Sequence, residues 1–161
     1  MPKPQLDELD MRDVLARVVR LYGPSLEQQK CPIEVVCEIA VERLPVSVDA
    51  ELMHRALSNL VLNAMDAMPD GGTLTIAVAR HGNNIRVTIS DTGKGMTTEE
   101  CERLFTPYYT TKQKGTGLGL AIVQSVIADH HGTIGVESNP GRGTTFIIDL
   151  PANDVRSEDR A

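Results

Sequence analysis

Asn59-Leu60-Val61-Leu62-Asn63-Ala64 falls within a run of helically spaced apolar residues, and three further segments follow it along the chain: Asp91-Thr92-Gly93-Lys94-Gly95, Gly115-Thr116-Gly117-Leu118-Gly119-Leu120 and Gly141-Arg142-Gly143-Thr144. Any one of them is compatible with chance. Together they supply a metal-ligand side chain, a purine-reading carboxylate and backbone amides for phosphates, the groups needed to hold a nucleoside triphosphate.

Outward from the first segment, Asp49 is a good N-cap and Val48 can staple against Met53, so the spacing predicts a helix over 50–68 that Pro69-Asp70-Gly71-Gly72 ends. Upstream, Met11, Val14, Leu15, Val18, Leu21 and Tyr22 repeat at helical spacing until Gly23-Pro24, expected to stop them. Ile33, Val35, Cys37 and Ile39 alternate as a strand. Downstream, Leu74, Ile76 and Val78 share one face of a strand and Ile85, Val87 and Ile89 one face of the next, joined as a hairpin by His81-Gly82-Asn83-Asn84. A short helix is predicted over 97–104, capped by Thr97 or Thr98, with Glu99 and Glu100 in its first turn. The polar, aperiodic stretch 105–115 reads as a mobile loop. Leu118, Ala121, Ile122, Val126 and Ile127 mark a helix ending near His131-Gly132; Ile134 and Val136 form a strand, and Phe146, Ile148 and Leu150 the last one.

Three main helices and about five strands without strict alternation predict an α+β chain: a two-layer sandwich with a mixed sheet covered on one face by helices. The expected organisation is an entering helix over 1–30, an ATP-binding unit over 31–151 and a disordered tail over 152–161.

The 161 residues, 41% of them apolar, suffice for one core. A net charge of -6 and the lack of a Lys/Arg block argue against nucleic acid as a partner, whose phosphate backbone requires a basic face. Free nucleotide carries its own magnesium and is not excluded. Met1-Pro2-Lys3-Pro4-Gln5 lacks the apolar stretch of a secretion signal and no run is long enough to span a bilayer, so the expectation is a cytoplasmic chain without membrane contact. Cys31, Cys37 and Cys101 show no CxxC spacing, and Cys37 is expected to be a buried, inert thiol.

Asn59 and Asn63 lie one helical turn apart, with Asp66 almost a turn further, so all three project from one side. Magnesium takes a few hard oxygen ligands, and an asparagine carbonyl suits it; alternatively, the pair faces water. Asp91 sits at a strand end with flexible backbone behind it, where a carboxylate can accept from an exocyclic amine and Gly93 and Gly95 admit a planar base. A turn with a solvated aspartate fits the segment equally. The run from Gly115 through Thr116, Gly117, Leu118 and Gly119 to Leu120 opens a helix, aiming free amides and positive dipole at an anion. It follows a polar loop rather than a buried strand, unlike a dinucleotide fingerprint, and Lys94 precedes Gly95 rather than the Ser or Thr of a Walker A motif. Lys112 stands just before this cradle, where it could neutralise terminal phosphate charge or simply be solvated.

With Leu104-Phe105-Thr106-Pro107-Tyr108-Tyr109-Thr110-Thr111-Lys112 added, the segments resemble the N, G1, F, G2 and G3 boxes of sensor histidine kinases, in register from about 49 to 151. The Tyr-Tyr-Thr-Thr-Lys stretch and Asn63-Ala64-Met65-Asp66-Ala67-Met68 are most similar to the nitrogen-regulation branch. The resemblance implies a Bergerat-type fold binding ATP and Mg2+, with Asn63 as metal ligand, Asp91 reading the adenine amine and Thr144 near the base. It places Asn59 and Lys112 beside the phosphates, the backbone of 117–120 under them, and Asp66, Met96, Gly115 and Thr116 among the nucleotide contacts. It also implies two partners: a dimerisation and phosphoacceptor domain on the same or a sister chain, and a response regulator.

The same fold serves gyrase, heat-shock chaperones, mismatch-repair ATPases and anti-sigma serine kinases, in which a glutamate acting as general base typically stands where this chain has Asn59. An asparagine cannot take a proton at neutral pH, whereas a histidine imidazole is already nucleophilic. Histidine phosphorylation is therefore favoured over hydrolysis or serine phosphorylation, and the intact glycine boxes weigh against a purely nucleotide-sensing role. Many members carry Lys and an aromatic where this chain has Asp66 and Ala67, which shifts phosphate neutralisation onto Lys112 and magnesium. None of the four histidines sits in a phosphoacceptor motif.

Overall fold

The computed structural model describes residues 3–105 and 119–153. The elements run β1 (Asp7–Asp10), α1 (Met11–Glu27), β2 (Ile33–Ile39), β3 (Pro45–Val48), α2 (Ala50–Ala67), β4 (Gly72–His81), β5 (Asn84–Asp91), α3 (Thr98–Arg103), α4 (Gly119–Asp129), β6 (Thr133–Asn139) and β7 (Gly143–Pro151). A five-stranded mixed sheet has the order β2-β4-β5-β7-β6. Only β2 and β4 are parallel, because α2 carries the chain between that region and the next strand, whereas β4, β5, β7 and β6 pair antiparallel. The α+β two-layer sandwich expected from the sequence is the fold observed.

Period-two alternation decides which face is covered. Leu74, Ile76, Val78, Ile85, Val87, Ile89, Phe146, Ile148 and Leu150 are buried under the helices. The opposite face carries Thr75, Thr88, Ser90 and the two-pronged Arg86–Asp149 pair at 2.9 and 3.0 Å. Met53, Leu57, Leu60 and Ala64 of α2 fill the centre of the core, with Met11, Leu15 and Val18 of α1 and Val123, Val126 and Ile127 of α4 on its flanks. Asp49 caps α2 as expected, its Oδ1 accepting from the amides of Glu51 (3.1 Å) and Leu52 (3.2 Å). Thr97, not Thr98, caps α3, in a reciprocal box with Glu100.

Several expectations change. Gly23-Pro24 does not stop α1, which continues to Glu27: Leu26 is fully buried and anchors the last turn, and the Gln28 amide donates to the Pro24 carbonyl at 3.0 Å. Packing here outweighs the hydrogen bond that proline forfeits. Cys37 is exposed rather than buried, although its register with Ile76 turns it to the helix side; it lies on the edge strand β2, which has a strand neighbour on one side alone. Asp7–Asp10 and Pro45–Val48 form a separate two-stranded sheet that sequence periodicity did not reveal, each being only four residues long. Ala152 bridges Val46 and the Asn153 amide donates to the Pro45 carbonyl at 2.8 Å, so the chain is paired two residues into its expected tail; residues 154–161 lie outside the described residues. Among the described residues no helix is long and apolar enough to cross a membrane.

Candidate nucleotide-binding site

The apolar alternation of the covered face ends, on three neighbouring strands, in polar residues. Asp91 follows Ile85, Val87 and Ile89; Thr144 precedes Phe146, Ile148 and Leu150; Ser138 follows Ile134 and Val136. Strand register puts the three in one row, Asp91 opposite Thr144 and Thr144 opposite Ser138. Asp91 is 7% and Thr144 6% exposed, at positions where the pattern otherwise places core side chains. Burial pushes the Asp91 carboxyl pKa up, and backbone hydrogen bonds oppose that rise. Its Oδ1 accepts from the amides of Gly93 at 2.9 Å and Thr144 at 3.3 Å, while no described residue donates to Oδ2. The result is a buried acceptor fixed in direction, with one oxygen left for a ligand.

The segment after β5 is clamped on both sides. The Lys94 amide donates to the Ala67 carbonyl at the end of α2 (3.1 Å), and the Lys94 carbonyl accepts from the Gly141 amide (2.7 Å). The Met96 amide donates to Ser138 Oγ at 2.8 Å, and the half-buried Met96 side chain packs against the core. The glycines are demanded by contact: a Cβ on Gly93 would lie 2.3 Å from the Ala67 oxygen, and one on Gly95, whose φ is +72°, 1.9 Å from the Asn139 oxygen.

On α2, Asn59 and Asn63 are half-buried, and 100° per residue turns Asn63 to the flank away from Glu51, which pairs with Arg17 of α1 at 3.5 Å. Helix α4 packs along α2. Its far end is pinned by His130, whose Nε2 accepts from the Asp49 amide at 2.9 Å while Nδ1 donates to the Val126 carbonyl at 2.7 Å. Gly119 and Leu120 stand in the first turn of the eleven-residue α4, at the end opposite His130. Phe105 meets Phe146 edge-on, with ring centroids 6.5 Å apart, closing the core beside the row.

The structure thus brings Asp91, Gly93, Gly95, Met96 and Thr144 together at one end of the sheet and sets Asn59, Asn63, Gly119 and Leu120 on the two helices that pack over it. Asp66, which sequence spacing grouped with the two asparagines of α2, is exposed where they are half-buried. Lys112, Gly115, Thr116, Gly117 and Leu118 lie outside the described residues. Ser138 was missed. Its signal was available, since it continues the alternation of Ile134 and Val136 with a polar residue just as Asp91 does after Ile89. A shallow depression of about 290 Å³ lies on the helix-free face beside Arg86 and Thr88, whereas the polar groups at core positions lie on the covered face.

The profile of the family described as "Histidine kinase-, DNA gyrase B-, and HSP90-like ATPase" matches residues 48–154. Sensor histidine kinase ZraS of Escherichia coli (strain K12) is 38% identical over 154 residues, covering 95% of this chain and 32% of that protein. Sporulation kinase B of Bacillus subtilis (strain 168) is 43% identical, covering 95% of this chain and 36% of its own. The chain spans about a third of the length of the curated relatives it matches. Among solved structures, the nucleotide-free catalytic domain of histidine kinase ThkA superposes with a TM-score of 0.82 at 30% identity, over 92% of this chain and 96% of that one. ThkA in complex with response regulator protein TrrA matches with a TM-score of 0.78 at 28% identity, over 92% of this chain and 42% of that one. By profile, sequence and fold alike, the chain belongs to the histidine kinase-, DNA gyrase B- and HSP90-like ATPase family, on its histidine kinase side.

Proposed function

We propose that this chain is the ATP-binding catalytic domain of a sensor histidine kinase. It presents the γ-phosphoryl group of ATP to a histidine on a dimerisation domain carried by the same or a sister chain, in the cytoplasm, with a response regulator downstream. The observation that carries the proposal is the buried Asp91–Thr144 row on an otherwise apolar sheet face, a costly placement for a carboxylate unless a ligand uses it. Asp91 Oδ2 accepts from the 6-amino group of adenine, and Gly93 and Gly95 keep the wall flat enough for the base. Asn63 and Asn59 face the phosphates across α2, and the first turn of α4 directs amides at them. Mg2+, when held through the Asn63 carbonyl, supplies phosphate charge neutralisation; the half-buried amide fits that ligand. Lys112 and the amides of 115–118 are assigned to the phosphates on motif alone, as is the nitrogen-regulation likeness, and Asp66 is kept among the nucleotide contacts on the same ground.

Transfer requires an imidazole nitrogen to bond the γ-phosphorus while the bond from that phosphorus to the β–γ bridging oxygen breaks and ADP leaves. The chain's contribution is positioning and charge stabilisation. Asn59 offers no base to water or to a serine hydroxyl, which disfavours an ATP-hydrolysing or serine-phosphorylating role. Mixing the chain with γ-labelled ATP and a matching acceptor hairpin tests the proposal: acid-labile label should appear on the hairpin. Phosphate release that the hairpin does not alter would favour an ATPase, and ATP binding without transfer a nucleotide sensor.

A further inference from the structure

We propose that Ser138 is a positioning residue that holds Thr144 as a hydrogen-bond acceptor and so sets a preference for 6-amino over 6-oxo purine nucleotides. The inference rests on the assignment of the Asp91–Thr144 row to the base.

Counting donors and acceptors leads to it. Ser138 Oγ has one proton and two lone pairs. It lies 2.8 Å from the Met96 amide nitrogen, 2.9 Å from the Gly143 carbonyl oxygen and 2.9 Å from Thr144 Oγ1. An amide N–H only donates and a carbonyl only accepts, so the Ser138 proton goes to Gly143 and one lone pair takes Met96. The remaining lone pair accepts, and the contact with Thr144 therefore uses the threonine's own proton. Three partners exhaust Ser138. Thr144 is left with lone pairs alone to offer a ligand.

Its neighbour in the row has the same polarity. Oδ1 of Asp91 is occupied by the Gly93 and Thr144 amides, and Oδ2 of the ionised carboxylate can only accept. Two acceptors side by side suit an amino group, which has two N–H donors. An oxo group in that place sets lone pairs against lone pairs, and a site built for one polarity rejects the other. Strand pairing of Ser138 with Thr144 and of Thr144 with Asp91 keeps the three in register. Ser138 acts through Thr144 without touching the base.

The test compares ATP with inosine triphosphate, its 6-oxo counterpart, by titration calorimetry, reading the ratio of the two dissociation constants. Ser138→Ala frees the Thr144 hydroxyl to donate to the oxo group, and the preference for ATP should fall by roughly threefold to tenfold, the worth of one hydrogen bond. Ser138→Thr, which keeps the hydroxyl, should restore it. Thr144→Val alone should also lower the preference, and adding Ser138→Ala to Thr144→Val should lower it no further. An unchanged ratio in Thr144→Val overturns the proposal even if Ser138→Ala fails to fold; so does an undiminished Ser138→Ala effect in the Thr144→Val background. Equal binding of both nucleotides by the unsubstituted chain removes the Ser138 role but leaves the site; binding of neither removes both.

Discussion

Replacing Asp91 by Asn separates what the fold wants at this position from what the ligand wants. The asparagine carbonyl can take over both backbone bonds that Oδ1 now accepts, from Gly93 and Thr144. Its NH2 is then forced to the Oδ2 position, because turning it inward would oppose two N–H donors. Without ligand the variant should be more stable than the parent at neutral pH. Burial raises the folded carboxyl's pKa above its unfolded value, so the parent has its full stability below the ordinary aspartate range and loses some as pH rises through the folded value. Asparagine never ionises and keeps that stability. The gain in Tm over the parent should be small in acid, grow across the folded pKa and level off above it. ATP binding should move the other way. A hydrogen bond to a charged acceptor contributes about 1.5–3 kcal/mol, and at about 1.4 kcal/mol per tenfold its loss, with a donor now facing the amine, weakens ATP by roughly 10- to 100-fold or more. Thermal unfolding across pH and calorimetry with ATP read the two effects. ATP affinity within twofold of the parent, or a lowered Tm at neutral pH, would refute the reasoning.

Other perturbations probe the remaining parts. Asn63→Ala should abolish the magnesium-dependent part of ATP affinity while circular dichroism shows the fold retained, alanine being the better helix former; titrations with magnesium and with chelator that match those of the parent would remove the metal assignment. Gly95→Ala forces a side chain into positive φ and against the Asn139 carbonyl, and should cost about 2 kcal/mol or more, read as a lower urea midpoint at unchanged slope. A loss under about 0.5 kcal/mol would mean that the loop is not clamped as described. Asp49→Ala removes the α2 cap and should cost about 1 kcal/mol at neutral pH. The Gln5 amide above all, with those of Leu52 and Glu51, holds the Asp49 pKa below the ordinary value. Its contribution is therefore present above that value and fades as pH falls through the folded one, so the parent and variant stability curves should converge in acid.

The helix caps and the hairpin were legible because their signals are local. Asp49 before an apolar-periodic run, Thr97 three residues before Glu100, and His81-Gly82-Asn83-Asn84 between alternating runs are each read within a few residues, and each forms the expected cap or hairpin. The errors fall where distant packing overrides a local rule. Leu26 buries itself and pulls α1 through Gly23-Pro24; Cys37 follows the apolar alternation of β2 yet is exposed on that edge strand; β1 and β3 are too short for a period to register.

Sequence by itself determined the main helices, the strands of the five-stranded sheet and its covered face, and it named candidate ligand-facing groups, since side-chain period and turn chemistry are properties of neighbouring residues. It could not say that Asp91, Thr144 and Ser138 would stand in one row. That depends on the register of β5 with β7, whose paired residues Asp91 and Thr144 lie 53 positions apart, and on a strand order that is not the chain order. Only the tertiary structure sets which donor meets which acceptor, and therefore which way the Thr144 proton points.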